Sequence, residues 1–123
     1  MDARAVFDFE QVLASLDGDQ ALFVELAVLF LEESPKELAA ARAALDRSDA
    51  QSLATAAHRL KGSVLQFCAH SVSECAKQLE ELGRSGDLAT AGTAYRTMEV
   101  RLQELSDALN HVLAEGRVSS PRR

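Results

Sequence analysis

His58 is the side chain in this sequence whose type and neighbours are best suited to chemistry. It belongs to residues 57–63, which read Ala-His-Arg-Leu-Lys-Gly-Ser. The apolar residues around it recur with helical spacing and form one stripe, made of Leu53, Ala56, Ala57, Leu60, Val64 and Phe67. Since a helix turns about 100° per residue, His58 lies roughly 140° from the centre of that stripe. We therefore expect His58 to point outward, away from the core.

An outward imidazole with these neighbours can act as a phosphoryl acceptor. A reference pKa of about 6.5 leaves much of an imidazole unprotonated and nucleophilic at neutral pH. Lys61 lies one turn further on the same side and can offer its ammonium to phosphoryl oxygens. Gly62, which costs a mid-helix position about 1 kcal/mol relative to Ala, leaves room for close approach of another protein. The competing interpretation is a solvated histidine with Lys61 and Gly62 nearby by chance.

A docking surface is predicted around this histidine. Short or apolar residues flank it on the outer side, and exposed apolar clusters of this kind mark protein contacts. The candidate docking residues are Ala54, Leu65, Cys68 and Ala69. His70 and His111 have no lysine or glycine companions at helical spacing, and the sequence contains no metal-binding motif, so no metal site is predicted.

Length and composition exclude several classes of function. The chain has 123 residues and a net charge of −6, which suits one domain and argues against nucleic-acid binding. The basic residues cluster only at 117–123, which we expect to be a disordered tail after a helical domain at 1–116. No signal peptide or membrane-spanning stretch is recognisable, and Cys68 and Cys75 suit reduced thiols, so a cytoplasmic protein is expected.

Five helical segments are predicted, and no segment alternates like a strand. Short links between long amphipathic helices indicate antiparallel neighbours. The fold expected is therefore all-α, an up-and-down four-helix bundle with a short additional N-terminal helix. The predicted segments are Asp8 to Leu16, Asp19 to Asp46, Ser48 or Asp49 to about Cys68, a capping box at Ser71–Glu74 to Gly83, and Asp87 to Gly116.

The second segment leaves two alternatives open. It is apolar on nearly every side from Ala21 to Leu31, so either the first helix or another subunit must cover it; we expect the first helix and a monomer. Ser34 and Pro35 suit either the start of a new helix or a kink in one continuous helix, and we favour the kinked continuation. Tyr95 and Met98 lie on the apolar stripe of the last helix and are expected in the core.

Residues 57–63 resemble the signature A-H-x-L-K-G-S of the histidine-containing phosphotransfer (HPt) domain family. The similarity extends from about Val6 to Leu113 and includes the run Leu29 to Pro35 and the turn Leu45 to Asp49. The resemblance implies that His58 accepts a phosphoryl group from an aspartate of one response-regulator receiver domain and passes it to another. A hybrid histidine kinase is a further candidate partner. The Mg²⁺ belongs to the receiver, so no cofactor and no kinase activity are expected of this chain.

The resemblance also draws attention to Glu80. The family tends to place Gln or a similar acceptor about 22 residues after the histidine, where it can bond the inner ring nitrogen. Glu80 occupies that position and would fix the tautomer, although it is equally readable as a solvated surface residue. Leu65 and Cys68 are bulkier than the residues usual in the family after the motif, which bears on the choice of partner.

Two other classes of protein compete with this interpretation. The dimerisation helix of a histidine kinase also exposes a phosphorylatable histidine, but it normally follows it with an acidic residue and then a proline. Here Arg59 follows, and no proline stands between Pro35 and Pro121. A non-catalytic helical adaptor or scaffold with an incidental histidine is the remaining alternative.

Overall fold

Aspartate side chains set the first residue of most helices. The computed structural model describes residues 7–115, and within that range all regular structure is helical. The helices are α1 (Phe9–Ser15), α2 (Gln20–Asp46), α3 (Ala50–Leu65), α4 (His70–Ser85) and α5 (Leu88–Glu115). Carboxylates accept from free backbone N–H groups at the starts of α1, α2, α3 and α5, through Asp8, Asp19, Asp49 and Asp87 respectively.

Helices α2 to α5 form the predicted up-and-down bundle. Each packs against the next along the chain, and α5 returns to α2, so the four enclose one core. The apolar stripe predicted on α3 is buried throughout, and Tyr95 and Met98 are buried on α5 as expected. The all-α fold predicted from the sequence is confirmed.

The short helix α1 covers part of α2. The Phe9 ring packs edge-to-face against that of Phe23 with centroids 5.0 Å apart. Phe30 of α2 contacts Phe67, two residues beyond the end of α3, in the same way. The expectation that the first helix lies over the second is confirmed, although Leu22 and Leu29 of α2 stay exposed.

Helix α2 passes through Pro35 without interruption. Its backbone is helical from Gln20 to Asp46, and Ser34 is buried in the middle of it. Of the two alternatives for Ser34 and Pro35, one continuous helix is therefore the one adopted.

Two predictions about the ends of α4 are wrong. The helix starts at His70 and not at the Ser71–Glu74 capping box, and its N-cap residue, Ala69, provides no side-chain hydrogen bond. Ser71 therefore lies inside the first turn, where its own backbone is already helical and cannot serve as the N-cap. At the other end the helix continues through Gly83 and stops at Gly86, whose φ of +79° only glycine adopts easily.

Helix α3 ends at Leu65, earlier than the predicted Cys68, because Cys68 adopts a left-handed backbone conformation with φ of +53°. Its N–H donates to the Leu65 carbonyl at 3.0 Å and closes the turn. A residue with a Cβ destabilises the folded state by about 1 kcal/mol in this conformation, and glycine avoids that strain. Glycine also increases the conformational entropy of the unfolded chain, which lowers stability.

We expect Cys68→Gly to lower the free energy of unfolding by less than Gln66→Gly does, because relief of the left-handed strain offsets the lost packing of the half-buried Cys68 side chain and the added unfolded-state entropy. Gln66→Gly is the matched control, since Gln66 has φ of −59° and gains no such relief. Urea denaturation of both variants measures the difference. Equal losses of stability would contradict the strain at Cys68.

The predicted disordered tail at 117–123, and the domain boundary at residue 116, lie outside the described residues. The domain limits therefore stay predictions.

Candidate functional site

His58 lies in the middle of α3 on the side that faces away from the core. Its side chain is 63% exposed, whereas Leu60 beside it is fully buried. The Asp49 cap and the buried stripe hold α3 in place, so the outward direction predicted for this histidine follows from the packing of its own helix.

Glu80 of α4 meets the inner edge of the imidazole. Its Oε2 lies 3.1 Å from Nδ1 of His58, and its side chain is only 4% exposed. The alternative that Glu80 is a solvated surface residue is therefore wrong. Close packing of α3 against α4 buries this carboxylate, and the periodicity of α4 alone could not show that.

Two cations neutralise the buried carboxylate. Lys61 Nζ lies 3.0 Å from Oε1 of Glu80, and the Arg84 guanidinium, one turn further along α4, pairs with Oε2. Burial raises the pKa of Glu80, but the hydrogen bond and charge of Lys61 and the charge of Arg84 outweigh it and hold that pKa below its ordinary value. Glu80 is therefore a carboxylate at neutral pH.

An ionised Glu80 determines which nitrogen of His58 carries the proton. A carboxylate only accepts hydrogen bonds, so Nδ1 of His58 must donate. In the neutral imidazole the lone pair then lies on Nε2, on the exposed edge of the ring. The arrangement presents a nucleophilic nitrogen to solvent and holds the ring by its other nitrogen.

The surroundings of Gly62 agree with what the sequence suggested, whereas those of Lys61 differ from it. A side chain built at Gly62 would meet nothing within 4 Å, so the surface there is open, as close approach requires. Lys61 is expected to face the phosphoryl group, but its side chain is only 28% exposed and its ammonium binds Glu80. Its role therefore includes neutralising a buried carboxylate.

The predicted docking surface is only partly exposed. Leu65 is 45% exposed and Cys68 is half-buried, so both remain candidates. Ala69 is fully buried at the start of α4, and Ala54 is buried where α3 meets α4. The prediction that these two alanines are exposed beside His58 is wrong, because α4 covers the side of α3 on which Ala54 lies.

An open cavity of about 640 Å³ lies beside His58, between the start of α3 and the end of α4. Its lining includes four small residues and two arginines. The small residues are Ala50, Ala54, Gly83 and Gly86, and the arginines are Arg59 and Arg84. Arg84 was not among the candidate site residues predicted from the sequence. Its spacing of four residues from Glu80 was the available signal, since residues at that spacing pair on a helix.

Gly83 allows the close approach of the two helices at this site. A Cβ at Gly83 would lie 2.9 Å from the backbone nitrogen of Ala54 and 3.1 Å from the carbonyl oxygen of Ala50. Only a residue without a side chain fits between these backbones. That contact brings Glu80, on the turn before Gly83, close to His58.

Two other kinds of site are absent from the described range. Among residues 7–115 no group of three or more His, Cys, Asp or Glu side chains could hold a metal ion. Over the same residues, none of the helices combines the length and the apolar character needed to span a bilayer.

The sequence model of the Hpt domain matches residues 25–115, which is most of the chain. This chain belongs to the Hpt domain family. The match contains His58, Lys61, Gly62 and Glu80 and begins within α2, so it leaves α1 outside. The resemblance noted in the sequence is therefore confirmed, and the competing classes of adaptor and kinase dimerisation helix are set aside.

A solved structure shows the same fold. The crystal structure of histidine-containing phosphotransfer protein B (HptB) from Pseudomonas aeruginosa PAO1 superposes with a TM-score of 0.82 at 29% sequence identity. The alignment covers 89% of this Hpt domain and 96% of the HptB chain. A search of curated protein sequences gave no match. The function of this Hpt domain is histidine phosphotransfer in a two-component phosphorelay.

Proposed function

We propose that His58 is the phosphoryl carrier of this Hpt domain, receiving the group from the aspartyl phosphate of one receiver domain and passing it to the aspartate of another. The observation that carries the proposal is the contact of Nδ1 with the buried Glu80. It leaves Nε2, the nucleophilic nitrogen, on the exposed edge of the ring.

The transfer needs no reactant beyond the two proteins. The Nε2 lone pair attacks phosphorus, an N–P bond forms, and the bond from phosphorus to the aspartyl oxygen breaks, so aspartate leaves as a carboxylate. The proton on Nδ1 stays where it is. The product is a phosphorylated ring with a positive charge, and the reverse steps deliver the group to the next aspartate.

Glu80 stabilises both ends of this reaction path. As Nε2 bonds to phosphorus, positive charge develops on the ring, and the adjacent carboxylate at 3.1 Å favours it. The protonated Nδ1 also makes the imidazole a good leaving group in the return step. Glu80 is a positioning residue in this proposal, since it acts through His58.

The rest of the proposal concerns the partners. Receiver domains supply the aspartate and the Mg²⁺, and a hybrid histidine kinase is a further partner. The chain acts as a phosphoryl carrier without kinase activity of its own, since the aspartyl phosphate supplies the free energy of the transfer. Function as a monomer stays a prediction. The cytoplasmic location stays a prediction.

Incubation with a receiver domain carrying labelled aspartyl phosphate tests the proposal. We expect label to appear on this chain in an acid-labile, base-stable linkage, as a phosphoramidate requires, and to leave again when an unphosphorylated receiver is added. Label that never reaches the chain, or that reaches it in an acid-stable linkage, contradicts the proposal.

We further predict that Leu65→Glu slows transfer from a receiver by at least about tenfold, because loss of about 1.4 kcal/mol of docking free energy lowers affinity tenfold. Leu65 is exposed on α3 beyond His58, so the helical circular dichroism should not change. Val100→Glu is the matched control, since Val100 is an exposed apolar residue of α5. Equal transfer rates for the two variants would remove Leu65 from the docking surface.

A further inference from the structure

We propose that the two cations bound to Glu80 have different tasks during transfer: Lys61 stays with Glu80, and Arg84 moves from Glu80 to the phosphoryl group on His58. This inference rests on the proposed function of His58. It assigns the phosphoryl contact to a residue that the sequence did not single out and alters the role expected of Lys61.

Exposure distinguishes the two side chains. Lys61 is 28% exposed and holds Oε1 of Glu80 at 3.0 Å, on the carboxylate oxygen that His58 does not use. Arg84 is 69% exposed and reaches Glu80 from the solvent side. A guanidinium has five N–H donors in a planar fork, so Arg84 has donors to spare for a phosphoryl oxygen. Moving it costs little burial.

Position also favours Arg84. The cavity beside His58 is lined by Arg84 as well as by the histidine, whereas Lys61 is not part of its lining. Arg84 and His58 also bind the same carboxylate oxygen, Oε2, which makes the guanidinium and the imidazole direct neighbours. A phosphoryl group attached to the exposed edge of the ring is therefore within reach of the Arg84 side chain when that side chain changes rotamer.

The change of charge on phosphorylation provides the driving force. Before transfer, Oε2 of Glu80 is shared by the imidazole of His58 and the guanidinium of Arg84. Once Nε2 carries the phosphoryl group, the ring becomes cationic and repels the guanidinium beside it, while about two negative charges appear on the phosphoryl oxygens. Arg84 gains by moving to those oxygens. Glu80 keeps the imidazolium and Lys61 as partners, so the buried carboxylate stays neutralised.

Arg59 offers a matched control. It also lines the cavity, but it points towards Glu37 of α2, at 4.0 Å, and has no contact with Glu80. It is about as exposed as Arg84. If these arginines influenced the phosphoryl group only through the overall electrostatic field of the surface, replacing either one should have the same effect on it.

The test measures the ³¹P chemical shift of the phosphoryl group at mildly basic pH, where the acid-labile linkage persists. Wild type, Arg84→Gln, Arg59→Gln and Lys61→Gln are phosphorylated with potassium phosphoramidate, in which the P–N bond breaks and ammonia leaves, and their ³¹P NMR spectra are compared. The His58→Gln variant identifies any signals from His70 and His111. A cation bound to the phosphoryl oxygens alters the shielding of the phosphorus, so Arg84→Gln should move the His58 signal from its wild-type position. Arg59→Gln and Lys61→Gln should move it less.

A second measurement reports on the unphosphorylated state. In ¹⁵N spectra of the imidazole, Lys61→Gln should disturb the Nδ1 proton, because it leaves Glu80 with one cation fewer. In the phosphorylated protein, Arg84→Lys should restore most of the wild-type ³¹P chemical shift. A His58-dependent ³¹P signal that moves by the same amount in Arg84→Gln and Arg59→Gln overturns the inference and leaves the proposed function intact. Absence of any His58-dependent signal in wild type refutes the proposed function as well.

Discussion

Replacing His58 with Gln should abolish phosphoryl acceptance while changing the free energy of unfolding by no more than about 0.5 kcal/mol. A carboxamide nitrogen is not a nucleophile, so no N–P bond can form. The side chain is 63% exposed and contributes little to the core, and Gln can still donate an N–H to Glu80. The variant should therefore lose phosphoryl acceptance and keep its stability.

Label transfer from a phosphorylated receiver and urea denaturation, applied to the same preparation, check both halves of this expectation. His70→Gln and His111→Gln are the matched controls, because both histidines are exposed and neither has the Glu80 and Lys61 partners. Both should accept label like wild type. Label retained by His58→Gln, or a bundle that unfolds without His58, would show that His58 is not the exposed acceptor.

Adding one methyl group at Gly83 should destabilise the protein, and the same change at Gly62 should stabilise it. At Gly83 the new Cβ would lie 2.9 Å from the backbone nitrogen of Ala54, and backbone cannot give way cheaply. Overpacking of this kind costs about 1 to 3 kcal/mol, more than the roughly 1 kcal/mol that Ala gains in helix propensity. At Gly62 the space is open, so only the propensity gain of up to about 1 kcal/mol remains.

The two alanine variants should also affect transfer for different reasons. Gly83→Ala forces α3 and α4 apart and weakens the contact of Glu80 with His58, which ¹⁵N spectra of the imidazole would detect. Gly62→Ala keeps that contact but places a methyl group on the surface where a partner approaches, so transfer should slow without any change in the spectra. Stabilisation by both substitutions would show that the helices are not in close contact at Gly83.

The sequence by itself determined the bundle and the direction of His58. Periodic apolar residues define a buried face on each helix, and aspartate caps define most of the starts, because both effects act within about one turn of the chain. The angle of His58 from the buried stripe is a property of α3 alone. The resemblance of residues 57–63 to the family signature indicated that the reaction is phosphoryl transfer.

The tertiary structure decided which side chains meet His58. Glu80 lies on another helix, and its burial, its two cations and its contact with Nδ1 depend on how closely α4 packs against α3. The same packing buried Ala54 and kept Gly83 inside a helix that the sequence had predicted to end there. Helical periodicity gives the direction of a side chain around its own axis. Contacts between residues far apart in sequence decide which neighbouring helix covers that direction. The periodicity of a single helix does not predict those contacts.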